Sequence, residues 1–271
     1  MNYKKQKINT NLGIINVHIT GDGPTMICWP SLMMTGLMWE SQVKYFSKSH
    51  TMILVDSPGH GESEALQAVF SMRDCALCLS QILDELDVNE CVFVGNSWGG
   101  MMGGVFAALY PSKLKAAVLM NCTASEASDL QKEEYAKTLS VIRSLEVFPE
   151  GLIGYSVKAF VGKTTEKTKP EVVEFISAML KKVNPQSVSW AIESVVPLRK
   201  NQLSLLNTIV KPVLVITGEE DRTFPVDETK TMADSIPGSN FKVFPKVGHL
   251  SALESPNIVN NEIEKFLASI E

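Results

Sequence analysis

The sequence predicts an α/β fold in which a mostly parallel sheet of eight strands carries helices on both faces, with a helical cap inserted after the sixth strand. Short apolar segments alternate with segments of helical periodicity along most of the chain, which is typical of such a sheet. The alternation stops over residues 125–206, where helical patterns occur without a strand-like run. The 271 residues are enough for one large core with one insertion.

The first two strands are predicted to form an antiparallel hairpin. Residues 7–10 and 14–19 have strand patterns, and an Asn-Leu-Gly turn at 11–13 joins them. Six further runs are short and apolar, as is typical of central strands that are buried on both faces. These runs are residues 25–29, 51–56, 91–94, 116–120, 212–217 and 241–244.

Helices are predicted between these strands, where apolar residues recur at helical spacing. The expected core helices are residues 38–46, 71–86, 98–109, 227–235 and 258–270. The helical patterns of the insertion include residues 130–145, 171–182 and 187–195.

These patterns divide the chain into a core, residues 1–124 and 207–271, and a cap, residues 125–206. An insertion at this place lies over the carboxyl ends of the strands, where open α/β sheets bind ligands. We therefore expect the functional site between core and cap.

Composition and charge narrow the class of function. The formal net charge is −5 and the sequence has no basic patch, so that neither nucleic acid nor an anionic membrane would be attracted. No apolar stretch follows the lysine-bearing N-terminus, and no run reaches the roughly 18 apolar residues of a membrane span. We expect a cytoplasmic protein that acts on a small molecule, and its oligomeric state stays open.

Five cysteines and no secretory signal favour reduced thiols over a disulfide framework. Cys75 and Cys78 form a C-x-x-C pair, which is a redox or zinc motif in some proteins. Here the pair lies within a helical pattern and has no second cysteine or histidine pair nearby. We expect both residues to be buried helix thiols, because free cysteine packs as a small apolar side chain.

A G-x-S-x-G motif occupies residues 95–99, directly after the strand-like run 91–94 and directly before a helical pattern. In this context the glycines allow a sharp strand-to-helix turn that holds a serine in strained geometry with its hydroxyl outward. The predicted nucleophile is Ser97. The backbone N–H of Trp98, at the start of the helix, is expected to donate to an oxyanion.

A serine hydroxyl is a weak nucleophile at neutral pH and needs a base within hydrogen-bond reach. The chain has four histidines. His18 lies in the hairpin, His50 precedes a strand, and His60 lies in a glycine-bracketed loop, where we expect a structural role. His249 follows the last strand, at the carboxyl end of the sheet, and is the predicted base.

The acid that orients this base is expected in the loop after residues 212–217, which reads Gly-Glu-Glu-Asp over residues 218–221. Asp221 is the predicted acid. Glu219 and Glu220 remain open alternatives, because the sequence does not give the geometry of the loop. The resulting chain order of serine, acid and histidine is the one that accompanies a G-x-S-x-G turn, and the two other orders of serine hydrolases do not fit.

With these motifs the chain resembles the α/β-hydrolase family over nearly its whole length outside the cap. Residues 56–63 are similar to the family's D-x-x-G-x-G-x-S loop. The N-terminal half looks most like 3-oxoadipate enol-lactonases, on Ser-Leu at 31–32 with Trp39 downstream, Gly-His-Gly at 59–61 and Met-Asn-Cys-Thr-Ala at 120–124. The resemblance implies a cytoplasmic hydrolase without a metal or organic cofactor.

The loop at residues 29–34 departs from the family pattern, which usually has His-Gly where this chain has Trp-Pro-Ser-Leu-Met-Met. Pro30 has no N–H to donate. The second oxyanion donor is therefore expected to be the N–H of Ser31 or, failing that, of Leu32, which would form a pair with Trp98.

The substrate is expected to contact apolar side chains of this loop and of the cap. Met33 and Met34 replace the small residues often found there, and they would narrow the pocket or line it with adaptable surface. The predicted substrate-binding residues are Trp29, Leu32, Met33, Met34 and Trp190, with Phe160 and Met179 as further wall candidates. A substrate carboxylate would need a cation, for which the candidates are Arg143, Lys158, Arg199 and Arg222.

These residues predict a serine hydrolase that cleaves a small carboxylic ester or lactone through an acyl-enzyme on Ser97. Two alternatives stay open. The Gly-Asn-Ser-x-Gly-Gly elbow also looks like that of carbon–carbon bond hydrolases that act on ring-fission products, although their glycine-rich oxyanion loop is missing here. The other alternative is a ligand sensor with this fold, in which the cap relays binding or slow cleavage of a signal.

Overall fold

The computed structural model describes residues 3–270, and within that range eight strands form one sheet. The strands are β1 (Lys4–Thr10), β2 (Gly13–Thr20), β3 (Thr25–Trp29), β4 (Thr51–Val55), β5 (Cys91–Asn96), β6 (Leu114–Met120), β7 (Val213–Gly218) and β8 (Asn240–Phe244). Their order in the sheet is β1-β2-β4-β3-β5-β6-β7-β8. β2 pairs antiparallel with β1 and with β4, and all other neighbours in this order pair parallel.

Helices cover the sheet and fill the insertion. The core helices are α1 (Glu40–Phe46), α2 (Met72–Glu85), α3 (Trp98–Leu109), α10 (Val226–Asp234), α11 (Ser251–Glu254) and α12 (Pro256–Ala268). Between β6 and β7 lie α4 (Asp129–Arg143), α5 (Glu150–Phe160), α6 (Lys163–Thr168), α7 (Pro170–Leu180), α8 (Pro185–Val195) and α9 (Leu203–Leu206). Two short 3₁₀ helices occupy Gly36–Trp39 and Pro111–Lys113.

Local sequence signals fix the starts of two long helices. Ser71 Oγ accepts the N–H of Asp74 at 3.2 Å, and Asp74 Oδ2 accepts the N–H of Ser71 at 2.8 Å. Ser128 and Gln131 form the same reciprocal pair before α4. Each pair satisfies two N–H groups that the helix itself leaves unpaired, so the chain turns into a helix at these residues.

The predicted α/β architecture is confirmed, including the antiparallel hairpin, the parallel strands and the helices that follow β6. The helices α5 and α6 were not predicted individually from the sequence. Gly151, Gly154 and Gly162 weaken the helical pattern of this segment. No helix between residues 3 and 270 is long and apolar enough to cross a bilayer.

The limits of the cap stay a prediction. The stretch between β6 and β7 contains helices only, but α9 at its end packs against α3 of the core, where Leu206 contacts Gly104. Residues 1, 2 and 271 of the predicted core ranges lie outside the described residues.

Polar residues follow the carboxyl ends of four neighbouring strands. Ser97 follows β5, Asn121 follows β6, Asp221 lies in the loop after β7, and His249 comes after β8. Because these strands are parallel and adjacent, their carboxyl ends meet at one edge of the sheet. The fold thus brings together residues that are far apart in sequence.

Candidate active site

Ser97 occupies a strained turn between β5 and α3. Its backbone has φ 55° and ψ −113°, an unusual conformation for a residue with a side chain. Its N–H donates to the carbonyl of Met120 at 2.8 Å, which ties the turn to β6. A Cβ on Gly95 would collide with the backbone of Gly99, and a Cβ on Gly99 would collide with the carbonyl of Trp29. Both glycines are therefore required by close backbone contacts.

His249 pairs with Asp221 in the interior of the protein. Its Nδ1 lies 3.0 Å from Oδ2 and 3.1 Å from Oδ1 of the carboxylate. An ionised carboxylate only accepts hydrogen bonds, so Nδ1 carries the hydrogen and Nε2 is the basic nitrogen. This Nε2 is buried and has no hydrogen-bond partner among residues 3–270.

The carboxylate of Asp221 is fixed by three further donors. Its Oδ1 accepts the N–H groups of Thr223 at 2.8 Å and Phe224 at 3.0 Å. Its Oδ2 accepts Nδ2 of Asn121 at 3.0 Å. These contacts hold the plane of the carboxylate toward His249.

The side chains of the two alternative acids, Glu219 and Glu220, form hydrogen bonds with other segments. Glu219 accepts the N–H of Lys246 at 3.3 Å. Glu220 accepts the N–H of Thr164 at 2.7 Å and its hydroxyl at 2.8 Å, and the bond from this N–H lowers the pKa of Glu220. Of the three neighbouring acids, Asp221 is the one that the structure pairs with His249.

Ser97 and His249 are held on neighbouring backbone segments. Asn96 Nδ2 donates to the carbonyl of His249 at 3.0 Å, so the residue before Ser97 is bonded directly to the histidine loop. No hydrogen bond of Ser97 Oγ occurs among the described residues, and its side chain keeps a small exposed fraction. In ligand-free enzymes the bond between nucleophile and base is often long, and it tightens when substrate binds. Phe160 of the cap stacks on the imidazole with ring centroids 5.9 Å apart.

The loop after β3 forms a tight turn. The N–H of Met34 donates to the carbonyl of Ser31 at 3.1 Å, and Met33 has a φ of 64°. The N–H of Ser31 is directed at Met38 Sδ, 3.4 Å away. The N–H of Leu32 forms no hydrogen bond within residues 3–270. Ser31 and Leu32 are the two expected oxyanion donors of this loop. Of the two, Leu32 is the one whose N–H has no hydrogen-bond partner within residues 3–270.

The predicted wall residues differ in exposure. Trp29, Leu32 and Met34 are buried, whereas Met33 and Trp190 are partly exposed. Aromatic packing accounts for part of the burial of Trp29. The ring of Trp29 packs edge-on against that of Trp98 with centroids 5.9 Å apart.

The indole of Trp98 lies inside an aromatic cluster. It stacks on Phe70 at 5.3 Å and packs against His60 at 5.6 Å. The side chain thus supports the core beside Ser97, while its backbone N–H lies at the start of α3.

A cavity of about 440 Å³ separates the cap from the core beside the loop after β3. Met33, His60 and Asp56 line it from the core, and Met179 and Lys182 line it from the cap. The predicted wall residues Met33 and Met179 thus face the same space between the two layers.

Three of the candidate cations already have partners. Arg143 pairs with Glu193 and covers the face of Trp190 at 4.3 Å, while Arg222 pairs with Glu166 at 3.3 Å. Arg199 is buried and donates to main-chain carbonyls, among them that of Ser125 at 3.0 Å. The fourth candidate, Lys158, is exposed.

Sequence reasoning missed Asn121, although this residue belongs to the Met-Asn-Cys-Thr-Ala segment at 120–124 that resembles enol-lactonases. Besides its bond to Asp221, its Nδ2 donates to the carbonyl of Gly248 at 3.0 Å, and its Oδ1 accepts the hydroxyl of Ser251 at 2.6 Å. Asn121 thus links Asp221 to the loop that carries His249. Its position at the end of β6 was the available signal.

Sequence reasoning also missed Glu254, a carboxylate with no exposed surface. It accepts the N–H groups of Gly248 at 3.0 Å and Leu250 at 3.1 Å, on either side of His249. It also accepts the N–H of Gly162 in the cap at 2.9 Å. One buried side chain therefore joins the cap to the backbone that carries the imidazole.

Within residues 3–270, no group of three or more His, Cys, Asp or Glu side chains is arranged to bind a metal ion. All five cysteines are free and buried. Burial raises the pKa of the Cys78 thiol to about 12 and that of the Cys91 thiol to about 12. Such thiols are protonated at neutral pH and are poor nucleophiles.

The chain matches the family model for the α/β hydrolase fold over residues 24–256. It is 26% identical over 246 residues to 3-oxoadipate enol-lactonase 2 of Acinetobacter baylyi, covering 90% of this chain and 88% of that protein. Among solved structures it is similar to a thermophilic esterase from Thermogutta terrifontis, with a TM-score of 0.90, 27% identity and coverage of 98% and 99%.

An enol-lactonase from Burkholderia xenovorans LB400 has the same fold, with a TM-score of 0.89 at 20% identity and coverage of 97% of this chain and 100% of that one. The family model spans most of the sequence, from before β3 to the start of α12. The eight-stranded sheet, its strand order and the helices after β6 agree with this match. The chain belongs to the α/β-hydrolase fold family.

Proposed function

We propose that the protein is a serine hydrolase that cleaves a small carboxylic ester or lactone through an acyl-enzyme on Ser97. The observation that carries the proposal is the pairing of His249 Nδ1 with Asp221 Oδ2, 3.0 Å apart, at the sheet edge where Ser97 occupies a strained turn. This pairing leaves Nε2 of His249 as a base for the serine hydroxyl.

In acylation, Nε2 of His249 takes the hydroxyl proton of Ser97 while Oγ attacks the carbonyl carbon of the substrate. The carboxylate of Asp221 stabilises the imidazolium that results. The tetrahedral intermediate then breaks its bond to the leaving oxygen, which receives the proton from His249. Ser97 is left esterified to the acid part of the substrate.

In deacylation, a water molecule repeats these steps. His249 takes a proton from water as its oxygen attacks the acyl carbon, and the same proton returns to Ser97 Oγ when the acyl–oxygen bond breaks. The products are the carboxylic acid and the free serine, so the cycle consumes one water molecule per substrate.

Two backbone N–H groups are proposed to bind the oxyanion. One is that of Trp98, whose place at the start of α3 gives it an unpaired N–H. Ser31 and Leu32 were the candidates for the other. Because the N–H of Ser31 is directed at Met38 Sδ, we assign the second role to Leu32, whose N–H forms no bond among residues 3–270.

The proposed substrate is small and largely apolar near the reacting carbonyl. Phe160 and Phe224 lie against the ring of His249, with centroids 5.9 Å and 5.6 Å away. Trp29, Leu32 and Met34 form the buried side of the loop after β3. The solved esterase and the enol-lactonase relative are consistent with ester or lactone chemistry. A cytoplasmic location is part of the proposal.

A substrate panel tests the proposal. Purified protein is assayed with p-nitrophenyl acetate and butyrate, a series of lactones, and a ring-fission dienoate. We expect rapid multiple turnover of an ester or lactone, together with loss of at least about 1,000-fold in kcat for His249→Ala. Cleavage confined to the dienoate would favour the carbon–carbon hydrolase. A single slow turnover with altered hydrogen exchange in the cap would favour a ligand sensor.

A further inference from the structure

Met33 has a backbone conformation that its side chain disfavours. It is the third residue of the turn closed by the bond from Met34 N–H to Ser31 O, and its φ is 64°. This position in a turn favours glycine or asparagine, since a Cβ is crowded at positive φ. An interaction from outside the turn is therefore needed to keep Met33 in place.

The N–H of Met33 donates to Nε2 of His60 at 3.0 Å. Nδ1 of the same ring lies 2.9 Å from the carbonyl of Pro58, which only accepts, so Nδ1 carries a hydrogen. The two contacts together require the neutral imidazole with its hydrogen on Nδ1. A protonated ring would place a second hydrogen against the N–H of Met33.

The ring itself is fixed in place. His60 is buried, and its ring packs at a tilt of 56° against the indole of Trp98 with centroids 5.6 Å apart. Burial lowers the pKa of His60, while the nearby carboxylate of Asp56 acts in the opposite direction. The charged groups near the ring are Asp56, Glu62 and Lys182. Asp56 is hydrogen-bonded to His18, and Glu62 and Lys182 line the adjacent cavity.

We infer that His60 is a positioning residue for the oxyanion hole: as a neutral acceptor it holds Met33 at positive φ and so fixes the preceding residue, Leu32. The inference rests on the proposed function, in which the N–H of Leu32 binds the oxyanion. When the acceptor is lost, Met33 relaxes toward negative φ. The turn of residues 31–34 then changes shape, and Leu32 is displaced together with its own N–H. The donor then no longer meets the oxyanion at hydrogen-bond distance, which affects the transition state more than the bound substrate.

The test uses His60→Phe, which keeps a ring against Trp98 but removes both nitrogens. The loss of a whole oxyanion donor lowers kcat about 100- to 1,000-fold, so a displaced donor is expected to lower kcat about 10- to 100-fold with KM changed less than about threefold. Met33→Gly in the same chain should restore at least about half of that loss on a logarithmic scale, because glycine adopts positive φ without help. His60→Gln, which keeps an acceptor, should lose less activity than His60→Phe.

Met33→Gly alone is the reference for the double variant: whatever its own kcat, His60→Phe should lower kcat much less in the Met33→Gly background than in the parent chain. Circular dichroism and melting temperature establish that each variant is folded, and His60→Leu replaces His60→Phe if the latter does not fold. Recovery of kcat by Met33→Gly would support the inference, because a general packing defect at His60 would not be repaired there.

An unchanged kcat in folded His60→Phe, or a loss that Met33→Gly fails to restore, would overturn the inference. Ser97→Ala measured in the same assay separates this failure from that of the proposed function. If Ser97→Ala is inactive while His60→Phe is fully active, the proposed function stands and the role of His60 is wrong. If Ser97→Ala keeps full turnover, the proposed function itself is wrong.

Discussion

Nδ2 of Asn121 donates a hydrogen bond to Oδ2 of Asp221 across 3.0 Å. The same amide nitrogen donates to the carbonyl of Gly248, next to His249. A single side chain therefore sets the position of the proposed acid relative to the loop of the proposed base. The hydroxyl of Ser251 fixes the other end of the amide at 2.6 Å.

Asn121→Ala is expected to lower kcat about tenfold and the free energy of unfolding by about 1–3 kcal/mol, because it removes buried hydrogen bonds, one of them to a charged group. Steady-state kinetics with p-nitrophenyl butyrate and urea unfolding measure the two effects. Asn89→Ala removes an exposed asparagine as the control and should change neither. Equal kcat values for the two variants would contradict the positioning role.

Glu254→Gln is expected to lower the free energy of unfolding by about 1–3 kcal/mol. An ionised carboxylate accepts all three N–H groups that meet it, whereas the amide of glutamine turns a donor toward at least one of them. Because two of these groups flank His249, kcat should fall as well. Glu85→Gln, at an exposed position on α2, is the control, and equal melting temperatures for the two variants would argue against the role of Glu254.

Gly99→Ala is expected to destabilise the protein and to reduce activity severely, because the added Cβ would collide with the carbonyl of Trp29 and displace the turn of Ser97. Gly154→Ala is the matched control. A Cβ there meets nothing within 4 Å, and the residue lies inside α5. This control should raise the free energy of unfolding by about 0.5–1 kcal/mol. Melting temperatures that move in the same direction for both variants would contradict the structure.

Asp56 makes the stability depend on pH in the acidic range. Burial by itself would raise the pKa of Asp56, but hydrogen bonds from His18, from the N–H of Glu62, from Asn16 and from the N–H of Gly36 together lower it below the usual value. The unfolded chain therefore binds the proton more readily than the folded one, and stability falls as the pH drops from about 4 through the folded pKa.

Asp56→Asn should lower stability at pH 7 and flatten its decline between about pH 4 and pH 2. Urea unfolding at a series of pH values gives both quantities. Asp22→Asn, an exposed residue, should leave the slope unchanged. A slope in Asp56→Asn equal to that of the parent protein would show that this carboxylate is not linked to folding.

Sequence patterns were sufficient for the sheet and for the helices between β6 and β7. Parallel strands in one sheet end at the same edge, so residues directly after β5, β7 and β8 had to lie near one another. The G-x-S-x-G context singles out Ser97 as the proposed nucleophile, and elimination among four histidines singles out His249 as the proposed base.

These sequence patterns do not predict the direction in which an individual side chain points. Three consecutive acids, Glu219, Glu220 and Asp221, follow the same strand, and the contacts of each with distant segments decide which one reaches His249. The engagement of Ser31 N–H by Met38 likewise depends on how a 3₁₀ helix folds back on the loop. Asn121 contacts partners that are far away in sequence, and Glu254 connects the nearby Gly248 and Leu250 to the distant Gly162. Periodicity does not reveal such contacts.

The most direct test of the proposed nucleophile is peptide mapping of the protein after reaction with a fluorophosphonate probe. The probe phosphonylates a serine that is activated by a neighbouring base. We predict one adduct, on Ser97, and its strong reduction in His249→Ala. An adduct on any residue other than Ser97 would contradict the assignment of Ser97 as the nucleophile.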